Sequence, residues 1–353
     1  MAGEADIRAA FAQQAFYCDS LFAPLTGLVC ALLGERLDRT TLIGRRVLEW
    51  PGNPAPIGDA LALRVYGGLH FLVRNGTAPH LAALYPPAPL PHPDRLWDAL
   101  SRLLDEERLA AWLDGPPQTN EVGRAAVLMS GLLVVAHRFG LPLRLYELGA
   151  SAGLNLNLDR YRYDLGGRAA GDAASPLLLK PDWSGPPPPD ARISIEDRAG
   201  VDLDPVPLPA GRERLLAYVW ADQTERIARL ESALEIAAIA PPRIDQGDAA
   251  EWIEAALAPE PEPGVARVVM HSVAYHYFPV DRRGRIARHI EAVGAAASAG
   301  APLAWLRYEE NEGEGRFSLR LRTWPGEDML LAWTHPHGQS VEWLATASEP
   351  VRR

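Results

Sequence analysis

Cysteine is nearly absent: Cys18 and Cys30 are the only two in 353 residues. They stand twelve apart with no CxxC or Cys/His ligand pattern, which suggests neither a disulfide framework nor a zinc site. So thiol-poor a composition suits a reducing cytoplasm. An excess of cations is also missing, with 35 Lys and Arg against 45 Asp and Glu and a net charge of -10. Nucleic-acid affinity comes from clustered Lys and Arg, and here the basic residues are scattered, so no nucleic-acid partner is expected. Long apolar runs are lacking too. The most apolar stretch, residues 127–136, is too short to cross a bilayer, and the opening MAGEADIRAAF has neither the basic start nor the apolar run of a secretion signal. These absences predict a cytoplasmic protein with no membrane partner. They leave the oligomeric state open.

A hydrophobic fraction of 48% and a charged fraction of 23% suit an ordinary globular chain, while 32 prolines imply many stiff connections. From residue 5 to about 84, apolar residues recur at helical spacing, with breaks expected at Pro24, Gly34, Pro51 and Gly76. The proline run 86–93 cannot continue a helix, and RLWDALSRLLDEERLAAWL then reads as one amphipathic helix. Residues 1–118 are therefore predicted to form an all-helical N-terminal region.

Beyond it, Asn120 is a candidate N-cap and Gly140 a candidate stop for a helix over EVGRAAVLMSGLLVVAHRFG. Residues 119–353 then alternate strand and helix. Strands are expected at 143–148, 192–195, 200–203, 243–247, 266–271 and 303–308, with one long helix over LLAYVWADQTERIARLESALEIAAI. Such alternation implies an α/β fold with a parallel sheet covered on both faces. FSLRLRTWPGEDMLLAWTH adds a terminal antiparallel hairpin. An insertion at about 161–190 and the helical N-terminal region are both expected near the ligand edge of the sheet.

The strand at 143–148 ends in Glu147 and runs into Gly149-Ala150-Ser151-Ala152-Gly153-Leu154-Asn155. Small residues let a ligand approach the backbone, and a helix N-terminus after such a turn presents free amides and a positive dipole end. Glu147 sets a negative charge where an ammonium or sulfonium can meet it. Together Glu147, Gly149, Ser151, Gly153 and Asn155 resemble the first motif of class I S-adenosylmethionine-dependent methyltransferases, with Ser151 where a second glycine is common. That resemblance implies a Rossmann-like sheet of parallel strands plus a terminal antiparallel hairpin. It further implies Asp202, in GVDLDP, as acceptor for the ribose hydroxyls and Asp248, in QGDA, as acceptor for the adenine amine. A turn residue and a helix N-cap are the plainer readings of these two acids.

A dinucleotide fingerprint fits worse, because GxGxxG fails at Ser151 and Leu154. Gly149-Ala150-Ser151-Ala152-Gly153 also satisfies GxSxG, the nucleophile elbow of serine hydrolases. Against it, Gly67-Gly68-Leu69-His70 lies in a helical context and supplies no oxyanion loop. The fourth element, VVMHSVAYHYFP, ends a buried strand in His271, Tyr275 and His276, candidates for the acceptor side of a methyl transfer as base or pocket wall. Histidines satisfying local backbone groups are the alternative. His335-Pro336-His337 has no third ligand at metal spacing, and its proline is expected to turn the rings apart. Asp222 and Arg226 read as an i, i+4 pair on a helix face, and Asn120, Glu121 and Arg124 as a capping cluster, with substrate contact as the alternative.

The series TNEVGR, YELGASAGLNLNLDRYRYD, GVDLDP, VWADQTERIARL, GDAAEWI, HSVAYHYF and HPHGQSVEWL resembles an uncharacterised bacterial family, domain of unknown function 2332, across nearly the whole chain. The expectation is S-adenosylmethionine-dependent methyl transfer to a small molecule. A serine hydrolase using Ser151 and a non-catalytic ligand-binding protein are its alternatives.

Overall fold

The computed structural model describes residues 3–258, 260–311 and 315–345. In chain order, α1 (Glu4–Ser20), α2 (Pro24–Arg36), α3 (Leu42–Leu48), α4 (Leu61–Arg74), α5 (Pro79–Ala82), α6 (Pro93–Ser101) and α7 (Glu107–Ala110) come first. Helix α8 (Arg124–Phe139) leads into β1 (Leu143–Leu148), followed by β2 (Arg162–Leu165), β3 (Arg168–Gly171), β4 (Leu178–Leu179), β5 (Asp182–Ser184) and β6 (Ile195–Asp202). Then come α9 (Arg212–Ala217), α10 (Thr224–Ile239), β7 (Ile244–Gln246), α11 (Ala249–Ala256), β8 (Ala266–Ser272) and α12 (Val280–Ala295). The order closes with β9 (Leu303–Asn311), β10 (Arg316–Trp324), β11 (Asp328–Thr334) and β12 (Ser340–Trp343). The chain divides into a helical unit, Met1–Thr119 with Ala210–Glu231, and a sheet unit, Asn120–Pro209 with Ser232–Arg353.

In the helical unit, Phe11, Val29, Leu33, Val65, Leu69, Leu100 and Leu109 are buried in one core. Gly34, a predicted break, lies inside α2; a Cβ there would come within 2.8 Å of the Phe11 Cβ, so the glycine permits close helix packing. The run predicted as one amphipathic helix is divided between α6, α7 and a 3-10 turn at Ala111–Leu113. The long helix expected after residue 214 is likewise broken into α9 and α10. Two long-range demands on the break explain it. The Ala221 amide donates to the Tyr66 hydroxyl at 2.7 Å, and the Asp222 carboxylate caps the start of α2. Helix α2 has Ala23 at its N-cap position and no side-chain cap of its own. Asp222 supplies one, accepting from the Leu25 and Thr26 amides at 2.9 and 3.0 Å and from the Thr26 hydroxyl at 2.6 Å.

The sheet unit is built on a nine-stranded sheet of order β5-β12-β11-β10-β9-β8-β1-β6-β7. From β7 to β9 all neighbours are parallel. Strands β10, β11 and β12 continue it antiparallel, and β5 closes the edge parallel to β12. The β10–β11 pair is the predicted hairpin, whereas in place of the two strands expected at 192–195 and 200–203 there is one, β6, which begins only at Ile195. Within the insertion, β5 joins the sheet at the side opposite β7, and β2, β3 and β4 form a small sheet of their own.

The fold is thus mixed α/β, with a large, mostly parallel sheet and a helical N-terminal region. Helices α11 and α12 pack on one face, bringing Ile253 and Ile286 over Leu148, Val269 and Trp305. From β1 the chain steps outward to β6 and β7, then returns to the other side of β1 for β8 and β9. This reversal puts the crevice favoured for ligands in such sheets beyond the carboxyl ends of β1 and β8. Among the described residues, no helix is long and apolar enough to cross a membrane.

Candidate functional site

Side chains alternate between the faces of a strand, and β1 uses this to sort its last residues. Tyr146 and Leu148 join the apolar cluster under α11 and α12, leaving Glu147 for the opposite face. There Glu147 is 1% exposed. Its Oε1 accepts from Asn155 Nδ2 at 3.2 Å, while its Oε2 is buried without a partner. Asn155 Oδ1 is a second buried acceptor without a donor, and Ser151 Oγ is also unpartnered. Burial pushes the Glu147 carboxyl up to about 8; the Asn155 hydrogen bond and the more distant Arg124 pull it down, and the Asp202 charge pushes it up.

The turn after β1 differs from the expected helix N-terminus with free amides. It opens into a 3-10 helix, Leu154–Arg160. The Gly149 and Ala150 amides donate to the Val201 carbonyl at 2.9 and 3.0 Å, and the Gly153 amide to the Ala150 carbonyl at 2.7 Å. The Ser151 amide is taken by Asp202 Oδ2 at 2.8 Å, and that of Leu154 by Asn120 Oδ1 at 3.0 Å. Asn120 therefore caps the 3-10 helix, not α8. Arg124 Nε and Nη1 donate to the Pro336 and Ser272 carbonyls at 2.9 and 3.2 Å, and Glu121 accepts from the Gly123 amide. The glycines serve close packing: at Gly149, with φ +72°, a Cβ would stand 2.6 Å from the Ala274 Cβ.

Asp202 ends β6, and its two oxygens each hold one backbone amide, Ser151 at 2.8 Å and Asp204 at 3.0 Å. Each oxygen keeps a second lone pair. Asp248 is the N-cap of α11, accepting from the Ala250 and Glu251 amides at 2.9 and 3.1 Å, and its Oδ2 is 3.2 Å from Arg282 Nε.

His271 lies on the other face of the sheet from Glu147, stacked on Tyr275 at 4.7 Å and edge-on to Trp305. The group that organises this corner, Glu309 near the end of β9, was not singled out from the sequence. Its Oε1 accepts from His271 Nδ1 at 2.7 Å and from the Ala274 and Tyr275 amides at 3.0 Å each. Its Oε2 accepts from His276 Nδ1 at 3.0 Å. Burial opposes ionisation of Glu309, but the hydrogen bonds from His271, His276 and the Ala274 amide outweigh it and hold the carboxyl well below the usual range. The signal was available: Glu309 stands at the carboxyl end of a parallel strand, next in the sheet to the strand bearing His271. The Tyr275 hydroxyl donates to the Arg283 carbonyl at 2.7 Å, and burial pushes it up to about 12.

The structure thus divides the sequence-predicted residues between two faces of one sheet end. Glu147, Ser151, Asn155 and Asp202 surround the β1 turn, while His271, Tyr275 and His276 gather on Glu309. Consecutive residues of β8 serve both, since Ser272 Oγ is 3.5 Å from Asn155 Nδ2. Two non-glycine residues hold left-handed backbone here, Ser151 (φ +54°) and Val273 (φ +51°), one after each of the adjacent strands β1 and β8. Such strain in a β-branched residue costs on the order of 1–3 kcal/mol and concentrates at functional sites. His335 and His337 meet edge to face with ring centroids 5.3 Å apart, so the intervening proline does not turn them away from each other. Among the described residues, no group of three or more His, Cys, Asp or Glu side chains is placed to hold a metal ion.

Comparison with proteins of curated function returns no match. Residues 8–343 match the model of a family described as an uncharacterised protein conserved in bacteria. That match spans nearly the entire chain, and the protein belongs to this family, DUF2332.

Proposed function

We propose that the sheet unit binds S-adenosylmethionine at the carboxyl ends of β1 and β6 and transfers its methyl group to a small-molecule acceptor. Glu147 carries the reading: a buried carboxyl with an unpartnered Oε2, hydrogen-bonded to Asn155, whose Oδ1 is also unpartnered, at the switch point of a parallel sheet. The oxygens left unpartnered on this hydrogen-bonded pair suit a cationic donor, and the ammonium of the cofactor's methionine part is one. When bound, the cofactor supplies a methyl group activated by its sulfonium. Glu147 and Asn155 would hold the methionine part. Asp202, which fixes the turn through the Ser151 amide, would offer its remaining lone pairs to the ribose hydroxyls. Asp248 is left to its cap and to Arg282. The chain's contribution is orientation and a dry pocket, not covalent chemistry.

Calorimetric titration with S-adenosylmethionine and S-adenosylhomocysteine tests the proposal, with Glu147→Gln as the control that keeps shape and removes ionisation. Saturable binding weakened at least tenfold in the variant is the expected result. Failure of both compounds to bind the wild-type protein at millimolar concentration would overturn it.

One observation favours the serine-hydrolase reading: Ser151 holds φ +54° on a strand-to-helix turn, as a nucleophile elbow requires. Its Oγ, however, has no hydrogen-bond partner, so the histidine contact that would activate it is not made. A fluorophosphonate adduct at Ser151 would establish this reading, and its absence would dispose of it.

A further inference from the structure

Glu309 is ionised, so it can only accept, and both histidines hydrogen-bonded to it must therefore carry their proton on Nδ1. A neutral imidazole held in this way presents Nε2 as a bare lone pair, the arrangement of a base oriented by a carboxylate. The two rings differ in access. His271 is 1% exposed and walled by Tyr275 and Trp305, whereas the His276 side chain is 37% exposed. The segment bearing His276 also abuts the β1 turn, since Ala274 and Phe278 are the closest neighbours of a Cβ built on Gly149.

We propose that His276 is the base that takes a proton from the methyl acceptor, that Glu309 is its positioning residue, and that the acceptor is therefore an O–H or N–H compound. This rests on the methyl-transfer reading above. Transfer to such an acceptor forms a bond from its heteroatom to the methyl carbon and breaks the donor's carbon–sulfur bond, whose electron pair stays on sulfur. The acceptor's proton passes to His276 Nε2, and Glu309 stabilises the imidazolium until solvent removes it. His271, held by the same carboxylate, locks Glu309 in place. Other charges near this corner are Arg283 on α12 and Arg307 on β9, both acting on the adjacent Tyr275.

Two measurements test the proposal. The first needs no cofactor: nitrogen-15 chemical shifts of the histidine rings in the wild-type protein and in Glu309→Gln. The expected result is an Nδ1–H tautomer for His276 in the wild type that gives way to a mixture with Nε2–H in the variant, where the side-chain amide no longer accepts exclusively. An Nε2–H tautomer in the wild type, or the same tautomer population in both proteins, would overturn the assignment. The second compares acceptor sets with labelled methyl donor, phenols, alcohols and amines against thioethers and tertiary amines, in the wild type and in His276→Asn. Because His276 is partly exposed, that variant should fold even if Glu309→Gln does not. The expected result is product only from proton-bearing acceptors, with kcat reduced about a hundredfold or more in the variant and donor affinity within twofold. Product from proton-free acceptors, turnover unaffected in His276→Asn, or donor binding without any product would each overturn the base. Absence of donor binding would instead count against the methyl-transfer reading, and the tautomer measurement would still decide the geometry.

Discussion

Glu147 Oε1 accepts a hydrogen bond from Asn155 Nδ2 at 3.2 Å, and the atoms left over on these two residues, Glu147 Oε2 and Asn155 Oδ1, are both buried acceptors without a donor. A buried polar atom without a partner costs on the order of 1–3 kcal/mol. Folding alone gives no reason to keep two of them on one hydrogen-bonded pair, and a cationic ligand does.

This cost is measurable as a pH dependence. Glu147 rises from the ordinary carboxyl value of 4.5 to about 8 in the folded protein. Folding therefore favours the protonated form, and the stability it contributes is full below about 4.5 and lost as pH rises through about 8. A tenfold change in proton affinity is worth about 1.4 kcal/mol, so the effect spans roughly 4–5 kcal/mol. Glu147→Gln should be the more stable protein at pH 8, with the difference closing toward pH 5. Melting temperatures of both proteins across this interval check it, and parallel curves would contradict the raised carboxyl.

Ligand binding should release a proton. At pH 6.5 the free Glu147 is mostly protonated, and a cation seated against it favours the carboxylate. Titrations with S-adenosylmethionine in buffers of different ionisation enthalpy should show release of about one proton per site, absent in Glu147→Gln. Binding with no net proton exchange would remove Glu147 from the contact.

Glu309 should behave with the opposite sign. Its carboxyl lies well below the usual range, so its contribution is present above the unfolded value and is lost as pH falls through the folded one. Glu309→Gln leaves two backbone amides and two histidines with a weaker partner, and should cost about 2–4 kcal/mol at pH 7. Urea unfolding at pH 7 and pH 4 should show the gap narrowing in acid.

In the helical unit, Asp222→Ala should destabilise by about 2 kcal/mol, because it removes the cap of α2. Asp222→Asn, which keeps an acceptor oxygen, should recover part of the loss. Equal stability of the wild type and Asp222→Ala would show that water replaces the cap at no cost.

How much of the site could be read beforehand follows from the range of each interaction. Glu147, Asn155 and the glycines share one short segment, so the acid-ended strand and small-residue turn were legible as a pattern. Asp202 was legible as the end of the next parallel strand. What the turn does with its amides was not, because their acceptors at Val201, Asp202 and Asn120 come from distant segments. Asn120 and Asp222 show the same limit: both looked local, as a cap for the helix that follows and as an i, i+4 partner, and both cap elements remote in sequence.

Periodicity and composition by themselves determined that a helical region precedes an alternating α/β region, that acids end β1 and β6, and that histidines end β8. These follow from local chemistry, since side-chain spacing and turn residues act over a few positions. Only the tertiary structure decided that Ala210–Glu231 belongs to the helical unit, that Glu147 and His271 fall on opposite faces of the sheet, and that Glu309 joins His271 to His276. Strand order and register fix those relations, and they are set by packing between segments far apart in the chain, which no local pattern encodes.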